Sequence, residues 1–296
     1  MSGQAVVKTS LKNIKKINSG KVRDMYDLGE NLLIVTTDRI SAFDVIMPNG
    51  VPDKGRILTK ISTFWFDLLK DVCENHLIST NVKDIKNLTS EEEVMLKDRI
   101  MIVKKAKVFP VECVVRGYIV GSGWKDYQKT GSICGHNLPH GLRLCEKLPK
   151  TIFTPSTKEA EGHDQNISIA EAGDIIGKEN IQKLEKLTIA MYNKAADYAK
   201  SRGIIIADTK YEFGVFKDRI IIVDEVLSPD SSRFWPADQY IVGQNQNSFD
   251  KQYLRDYLET CDWNKTHPAP LLPDEVILKT REKYLQAYEL LTGKKF

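Results

Sequence analysis

The sequence predicts an α+β fold in two lobes with a cleft between them. Strand patterns dominate the first part of the chain, whereas helices and strands are mixed in the later part. A chain of 296 residues is long enough to bury a core of this kind. Two β-rich runs are separated at Pro110, where a chain could cross between lobes or where a strand edge could simply accommodate the proline. We therefore expect a β-rich N-terminal lobe over residues 1–109 and an α+β C-terminal lobe over residues 110–296.

The predicted N-terminal lobe begins with strands. "KVRDMYDL", "GEN" and "LLIVTTD" form a strand, a turn and a strand. "RILTKISTFWFDLLKDV" has apolar residues at helical spacing, which predicts an amphipathic helix. "RIMIVKKAKVF" and "VECVVRGYIVG" are the two β-rich runs on either side of Pro110.

The predicted C-terminal lobe begins with an irregular segment. Residues 122–166 are rich in Gly, Pro, His and Lys and have no clear period, which is typical of a functional loop. A helix then ends near Gly203, and the apolar strand "IIIAD" follows. The last predicted helix starts on Pro273, carries acidic residues in its first turn and stops at Gly293.

Composition indicates a cytoplasmic enzyme that acts on small molecules. The net charge is 43 − 40 = +3, too small to favour a nucleic acid or a membrane surface as partner. Five scattered cysteines favour free thiols in a reducing compartment. The N-terminus has no apolar signal region, and no run approaches the ~18 apolar residues of a membrane span.

A predicted hairpin, "ADTKYEFGVFKDRIIIVDE", has carboxylates on both apolar strands. A three-residue turn at Lys217–Arg219 would place Glu212 directly opposite Asp224, with Cβ atoms about 4.5–5.5 Å apart. Two like charges in that position are destabilising unless a cation lies between them, and Mg²⁺ is the economical choice. A solvated strand face explains the spacing equally well. Alternation along the strands predicts one shared face for Asp208, Lys210, Glu212, Asp224 and Val226.

Three further motifs combine cations with turn residues. Lys21 and Arg23 follow Gly20 at the start of a strand, which suits a loop over phosphates. Arg116 and Ser122 flank glycines at the end of another strand and suit an anionic ligand. Arg233 ends the turn "SPDSSR" and could fork onto a phosphate or carboxylate. Each motif alone fits an ordinary turn or surface packing as well.

Seven motifs taken in order closely resemble the SAICAR synthetases, the phosphoribosylaminoimidazole-succinocarboxamide synthases of de novo purine synthesis. They are "SGKVRDMYD", "TTDRISAFD", "KGRILTKIS", "PVECVVRGYIVGSGW", "HDQNIS", "DTKYEFG" and "VDEVLSPDSSRFW". The resemblance covers the chain from about Gly20 to Tyr240. The stretch from Ser122 to Asn166 is similar to the fungal, single-function form, and 296 residues leave no room for the carboxylase domain fused to this activity in animals.

The resemblance implies an ATP-dependent carbon–nitrogen ligase. Such an enzyme joins the carboxylate of carboxyaminoimidazole ribonucleotide (CAIR) to the amino group of L-aspartate and releases ADP and phosphate. The expected route is an acyl phosphate that the aspartate amine attacks. Because the γ-phosphate and the attacked carboxylate are both anionic, Mg²⁺ and fixed cations are needed to neutralise charge. The implied fold has ATP between the lobes and is distantly similar to protein kinases and ATP-grasp enzymes.

The resemblance also implies roles for individual positions. Glu212 and Asp224 resemble the Mg²⁺ ligands, and His163 and Asp164 are assigned to the aspartate side. The implied catalytic residues are Lys21, Lys210 and Asp208. The implied ATP-binding residues are Lys21, Arg23, Lys104, Ala106, Val108, Glu112 and Lys158. The implied substrate-binding residues are Ser41, Asp44, Arg116, Ser122, His163, Asp164, Asp208, Lys210 and Arg233.

Two other function classes compete with the ligase. A Mg²⁺-dependent small-molecule kinase would use the same carboxylates and phosphate loop, but Arg116, Ser122 and Arg233 provide more anion-binding groups than a neutral alcohol needs. A nucleic-acid-binding module conflicts with the low net charge. No face is apolar enough to decide the oligomeric state, and a monomer is favoured over an oligomer.

Overall fold

The computed structural model describes residues 4–158 and 165–296. Two compact units make up the chain. The first contains Met1–Phe64, His76–Lys105 and Asp250–Phe296, and the second contains Trp65–Asn75 and Ala106–Phe249. The break at 105/106 lies close to the predicted boundary at Pro110. The C-terminal segment differs from the prediction, because it belongs with the N-terminal residues.

The first unit is built on a five-stranded antiparallel sheet in the order β1-β2-β3-β7-β6. The predicted strand–turn–strand is confirmed, with Gly29 at φ 77° in the turn. The elements up to residue 105 are β1 (Lys16–Ser19), β2 (Arg23–Leu28), β3 (Asn31–Thr36), β4 (Ser41–Ala42), β5 (Val45–Ile46), α1 (Lys54–Leu68), β6 (Leu77–Ser79), α2 (Ser90–Leu96) and β7 (Ile100–Lys104).

Among its described residues, the second unit contains a larger sheet together with three further α-helices. Its elements are β8 (Lys107–Val108), β9 (Val111–Tyr118), α3 (Gly121–Thr130), β10 (Ser132–Ile133), β11 (His136–Asn137), β12 (Lys147–Phe153), β13 (Ser156–Thr157), α4 (Ile169–Ile176), α5 (Lys178–Ser201), β14 (Ile204–Phe216), β15 (Arg219–Val223) and β16 (Ser232–Pro236). The α+β fold class is confirmed.

Strand β14 organises this sheet because it is long enough to have two partners on each edge. Thr209 pairs with β9 on one edge and with β16 on the other. Gly214 pairs with β8 and with β15. Side chains of β14 alternate between two faces, and one face is covered by α5: the Tyr192 hydroxyl donates to the Ile206 carbonyl at 2.6 Å. The other face is left for polar side chains.

Residues 122–158, the larger described part of the segment that was predicted to be irregular, are more regular than the sequence predicted. Helix α3 carries Gly121 and Gly123, and few of its side chains are apolar, so its helical period is weak. Strand β12 contains Pro149, and its pairing with β9 is irregular between Lys147 and Ile152. Proline is tolerated in such an irregular part of a strand, although it conceals the strand in the sequence.

The C-terminal segment folds onto the hairpin formed by β4 and β5. It contains α6 (Gln252–Glu259) and α7 (Asp274–Thr292), and the predicted limits of α7 at Pro273 and Gly293 are confirmed. The Asn49 side chain and the Leu272 backbone exchange two hydrogen bonds of 2.9 and 3.0 Å. The shared core consists of Ile40, Ala42, Val45, Met47, Val51, Leu254, Leu258, Leu272, Val276 and Ile277. This burial explains why the segment belongs to the first unit.

No helix within residues 4–158 and 165–296 is both long enough and apolar enough to cross a membrane.

Candidate active site

Two polar clusters lie on the polar face of β9 and β14, where Arg116, Asp208 and Glu112 are buried. The register pairs Asp208 with Arg116, and residues directly opposite each other point to the same face. Alternation then adds Lys210 and Glu212 of β14, together with Glu112 of β9. Five of the predicted site residues are therefore brought together by one pair of strands.

The first cluster is cationic. The carboxylate of Asp208 accepts from Arg116 Nη1 at 3.0 Å and also from Arg233 Nη1. Arg116 is buried, and its Nη2 donates to Ser122 Oγ at 2.9 Å. Burial lowers the pKa of the Arg116 guanidinium and so does Arg233, whereas Asp208 raises it. Among the described residues, the two guanidiniums both bond to the carboxylate of Asp208, and this pair of cations suits an anion.

Helix α3 begins beside these arginines. Its N-cap residue, Val120, makes no side-chain capping bond. Gly121 has φ 62°, and a Cβ atom there would clash with Arg233 Nη2. The guanidinium therefore packs directly against the glycine backbone. Because a helix N-terminus presents N–H groups and a partial positive charge, it adds to the attraction of the two arginines for an anion.

The second cluster surrounds Lys210. Its ammonium group donates to Glu112 and lies 3.7 Å from Glu212 Oε1. Burial alone would lower the pKa of Lys210, but the carboxylates of Glu112, Glu212 and Asp224 raise it above its ordinary value. Lys158 also bonds to Glu212. The negative charges of the carboxylates and the positive charges of the lysines in this cluster offset one another at close range.

The predicted register of the hairpin is wrong by one residue. The turn contains two residues, Lys217 and Asp218, rather than three, and Glu212 lies opposite Val223. Lys217 and Asp218 adopt φ 48° and 60°, as a type I′ turn requires, and this turn matches the twist of the strands. Asp224 follows the end of β15 at φ 60°, where strand alternation no longer applies. The carboxylates are thus grouped around Lys210 rather than facing each other.

In the first unit, the structure joins two further predicted residues. Lys21 donates to the carboxylate of Asp44. The backbone of the Lys21 loop is fixed by Arg39, whose Nη2 donates to the Gly20 carbonyl at 3.0 Å and whose Nε donates to the Lys21 carbonyl at 3.3 Å. Ser41, on β4, is buried. Arg39 of the motif "TTDRISAFD" therefore fixes the backbone of the predicted phosphate loop.

The remaining predicted residues are spread over both units. Arg23 begins β2 and Lys104 ends β7 in the first unit, whereas Ala106 and Val108 belong to the second. Val108 pairs with Gly214 and is 44% exposed. His163 and Asp164 lie outside the described residues.

The sequence did not assign a role to Gly121 or Arg39. Gly121 is the glycine that follows "RGYIV", and Arg39 lies between the acid and serine of "TTDRISAFD". Gly121 leaves space for the guanidinium of Arg233 because it has no side chain. Arg39 donates hydrogen bonds to backbone carbonyl groups of the Lys21 loop. Residue type alone therefore gives little sign of either role.

Comparisons with known proteins identify the family. The SAICAR synthetase family model matches residues 16–270. The phosphoribosylaminoimidazole-succinocarboxamide synthase of Syntrophobacter fumaroxidans is 58% identical over 99% of this chain and 98% of its own. That of Geotalea uraniireducens is 57% identical over 98% of each chain. These bacterial relatives are more similar in sequence than the yeast protein described next.

Solved structures agree. SAICAR synthase from Saccharomyces cerevisiae, determined in complex with SAICAR, superposes with a TM-score of 0.89 at 44% identity over 99% of both chains. SAICAR synthetase from Pyrococcus horikoshii superposes with a TM-score of 0.66 at 26% identity over 93% of this chain and 99% of its own. Sequence and structure together show that the chain belongs to the SAICAR synthetase family, the ATP-dependent ligases of purine biosynthesis.

Proposed function

We propose that the two clusters on β9 and β14 perform the family's reaction on CAIR and L-aspartate. In the first step, a carboxylate oxygen of CAIR attacks the γ-phosphorus of ATP, and ADP leaves. In the second, the aspartate nitrogen attacks the acyl carbon, loses a proton and expels inorganic phosphate. The observation that carries this proposal is the pairing of an anion-binding cluster and a carboxylate–lysine cluster on one strand face.

The first cluster suits the phosphate of the ribonucleotide. Arg116, Arg233 and Ser122 converge beside the N-terminus of α3. A phosphate dianion would accept hydrogen bonds from the two guanidiniums, from the hydroxyl and from helix N–H groups. Asp208 holds both arginines in place before the ligand arrives. This preorganisation lowers the cost of ordering the side chains on binding.

The second cluster suits Mg²⁺ held jointly with phosphate groups. Within residues 4–158 and 165–296, no group of three or more His, Cys, Asp or Glu side chains is arranged to hold a metal ion. Mg²⁺ is nevertheless usually bound by one or two carboxylates plus substrate phosphates. Glu212 and Asp224 supply hard oxygen donors of the right type. When bound there, the ion would stabilise negative charge on the transferred phosphoryl group.

Lys210 and Glu112 provide a fixed charge pair beside that metal site. The ammonium group of Lys210 donates to Glu112, and only 35% of the Lys210 side chain is exposed. We assign Lys210 to the carboxylate of CAIR, where it would offset the repulsion between substrate and phosphate. The Glu112 side chain then supports Lys210, in addition to the ATP contact that the family resemblance implies.

The other assignments remain proposals for each unit separately. Lys21 and Arg23 in the first unit and Lys158 in the second are our candidates for ATP phosphate contacts. The main chain near Lys104, Ala106 and Val108 is our candidate for adenine. A cytoplasmic location is proposed because the five cysteines are all free.

An assay of product formation tests the ligase against the kinase alternative. The enzyme is supplied with ATP, Mg²⁺ and CAIR, with or without L-aspartate, and phosphate release and amide product are both measured. We expect the amide to form and rapid phosphate release to require L-aspartate. Equal phosphate release without L-aspartate, or a phosphorylated product with no amide, would contradict the ligase proposal.

Substitution of the carboxylates tests the metal assignment. We expect Glu212→Gln and Asp224→Asn each to lower kcat about 100-fold or more and to raise the Mg²⁺ concentration needed for half-maximal activity. Asp218→Asn is the matched control, because it alters an acid at the tip of the same hairpin. Normal Mg²⁺ dependence in both site variants would refute the assignment.

A further inference from the structure

The turn between β4 and β5 adopts an unusual backbone conformation. Ser41 pairs with Ile46 and Ala42 with Val45, which leaves Phe43 and Asp44 as a two-residue turn. Their φ angles are 51° and 63°, in the left-handed region. Turns of this type favour Asn-Gly, and a bulky residue such as phenylalanine rarely adopts positive φ. The conformation therefore needs support from outside the hairpin.

Two residues that follow α6 contact the turn. The Phe43 ring lies edge-on to Trp263, with ring centroids 6.3 Å apart. Lys265 Nζ lies 4.5 Å from the centroid of the Phe43 ring, in a cation–π contact. The ring at the tip is thus contacted by an aromatic ring and by a cation, and both come from the C-terminal segment.

Both contacting side chains are themselves fixed. Trp263 Nε1 donates to the Thr266 carbonyl at 2.7 Å. Lys265 Nζ bonds to Glu259 at 2.7 Å. The base of the hairpin is anchored to the same segment through the shared core and through Asn49. The C-terminal segment therefore supports the hairpin from its base to its tip.

The turn presents Asp44 to Lys21. Asp44 is the residue next to Phe43, and its carboxylate accepts from the Lys21 ammonium group. If Phe43 relaxed to negative φ, the direction of the Asp44 side chain would change with it. The contacts at Phe43 thus influence the position of a charged group that we place in the substrate site.

We propose that Trp263 and Lys265 are positioning residues for the ligase reaction, because they hold the Phe43–Asp44 turn so that Asp44 faces Lys21. This inference rests on the proposed function, in which Lys21 contacts the ATP phosphates, and on the substrate-binding role that the family resemblance implies for Asp44. Neither Trp263 nor Lys265 needs to touch a substrate for this role. Their effect should pass through Asp44 alone.

A double-mutant cycle in activity tests the inference. We expect Trp263→Ala to lower kcat/KM about tenfold in the otherwise unchanged enzyme and less than twofold in an Asp44→Asn background. Lys265→Met should act in the same direction, and Trp263→Phe should restore most of the activity. Lys279→Met, which removes an ion-paired lysine on α7, is the matched control and should leave kcat/KM unchanged.

Equal losses in both backgrounds would overturn the inference, and so would unchanged activity in Trp263→Ala. Either outcome leaves the ligase assay as an independent test of the function. Crystal structures of Trp263→Phe and of the double variant Trp263→Ala, Lys265→Met provide a readout that does not depend on activity. We expect Phe43 and Asp44 to keep positive φ in Trp263→Phe and to lose it in the double variant. Retention of positive φ in that double variant would also overturn the inference.

Discussion

Gly121 meets two requirements that a residue with a side chain cannot meet together. Its φ of 62° is easily reached only by glycine, and its missing side chain leaves room for the guanidinium of Arg233. The second requirement is specific to the anion-binding cluster. Other glycines with positive φ, such as Gly29 and Gly131, share the first requirement without the second.

We therefore expect Gly121→Ala to raise the KM for CAIR at least tenfold, because the new Cβ displaces Arg233. Gly131→Ala is the matched control: Gly131 caps the other end of α3 at φ 70°, and a Cβ added there would have no atom within 4 Å. Both substitutions should cost about 1–2 kcal/mol of stability through backbone strain. Steady-state kinetics and urea unfolding of the two variants separate the effects, and an equal KM for both would contradict the steric argument.

The sequence shows which charged residues interrupt the strands, but it does not show which of these residues form ion pairs with each other. The acids of the predicted hairpin stood out because charged side chains interrupt apolar strands, whereas Glu112 and Lys158 were assigned only through the family resemblance. The bonds of Asp208 to Arg116 and of Lys210 to Glu112 join residues far apart in the chain. Such pairs are set by strand register, which a single sequence specifies poorly.

At the scale of elements, the hairpin of β14 and β15 shows how one turn residue changes a site. A turn of two residues in place of three moves every pair along the strands by one position. The side-chain faces of β14 were predicted well, because they depend only on alternation within one strand. The position of Asp224 was not, since it depends on the turn and on a left-handed residue after the strand.

The observed turn allows a prediction about the free energy of unfolding. Lys217 and Asp218 both have positive φ, and replacing them with Asn and Gly supplies the residues that a type I′ turn prefers. We expect the double variant Lys217→Asn, Asp218→Gly to be more stable by about 1 kcal/mol in urea unfolding. Its kcat should be unchanged, because the turn is at the far end of β14 from Asp208. A three-residue turn would instead be disrupted by this replacement, and stability would fall.

At the scale of the whole molecule, we expect stability to depend on a buried carboxylate that has no assigned role in the reaction. Asp24 on β2 is fully buried and accepts hydrogen bonds from Arg39, Ser19, Thr9 and Lys16. Burial alone would raise the pKa of Asp24, but these hydrogen bonds lower it well below its ordinary value. The residue ties the N-terminal segment to the first sheet.

Because the pKa of Asp24 is lowered in the folded state, its contribution to the free energy of unfolding decreases at low pH. The unfolded chain takes up the proton first, with a pKa of about 3.9, so the contribution of Asp24 is complete above that pH and is lost as the pH falls below it. We expect Asp24→Asn to cost about 3 kcal/mol at pH 7 and clearly less at pH 3, measured by urea unfolding. Asp27→Asn, on the exposed part of the same strand, should have a much smaller effect. An equal loss at both pH values would contradict the assignment.

The division of the chain into units could not be predicted from local patterns. The α7 helix was predicted correctly, but its partner is a hairpin more than 200 residues earlier, through bonds such as that of Asn49 to Leu272. An amphipathic pattern identifies an apolar face without identifying what covers it. The family resemblance supplied the reaction, and the structure supplied the contacts.

The length of β14 has a consequence for substrate choice. Asp208 belongs to the anion-binding cluster and Glu212 to the carboxylate–lysine cluster, and both are side chains of one continuous strand. A strand rises about 3.3 Å per residue and resists stretching, so the two residues are held roughly 13 Å apart. In the proposed function, the strand therefore fixes the spacing between the cluster that binds the ribonucleotide phosphate and the carboxylates that hold Mg²⁺. We expect a ligand lengthened by one phosphate to fit this fixed spacing less well.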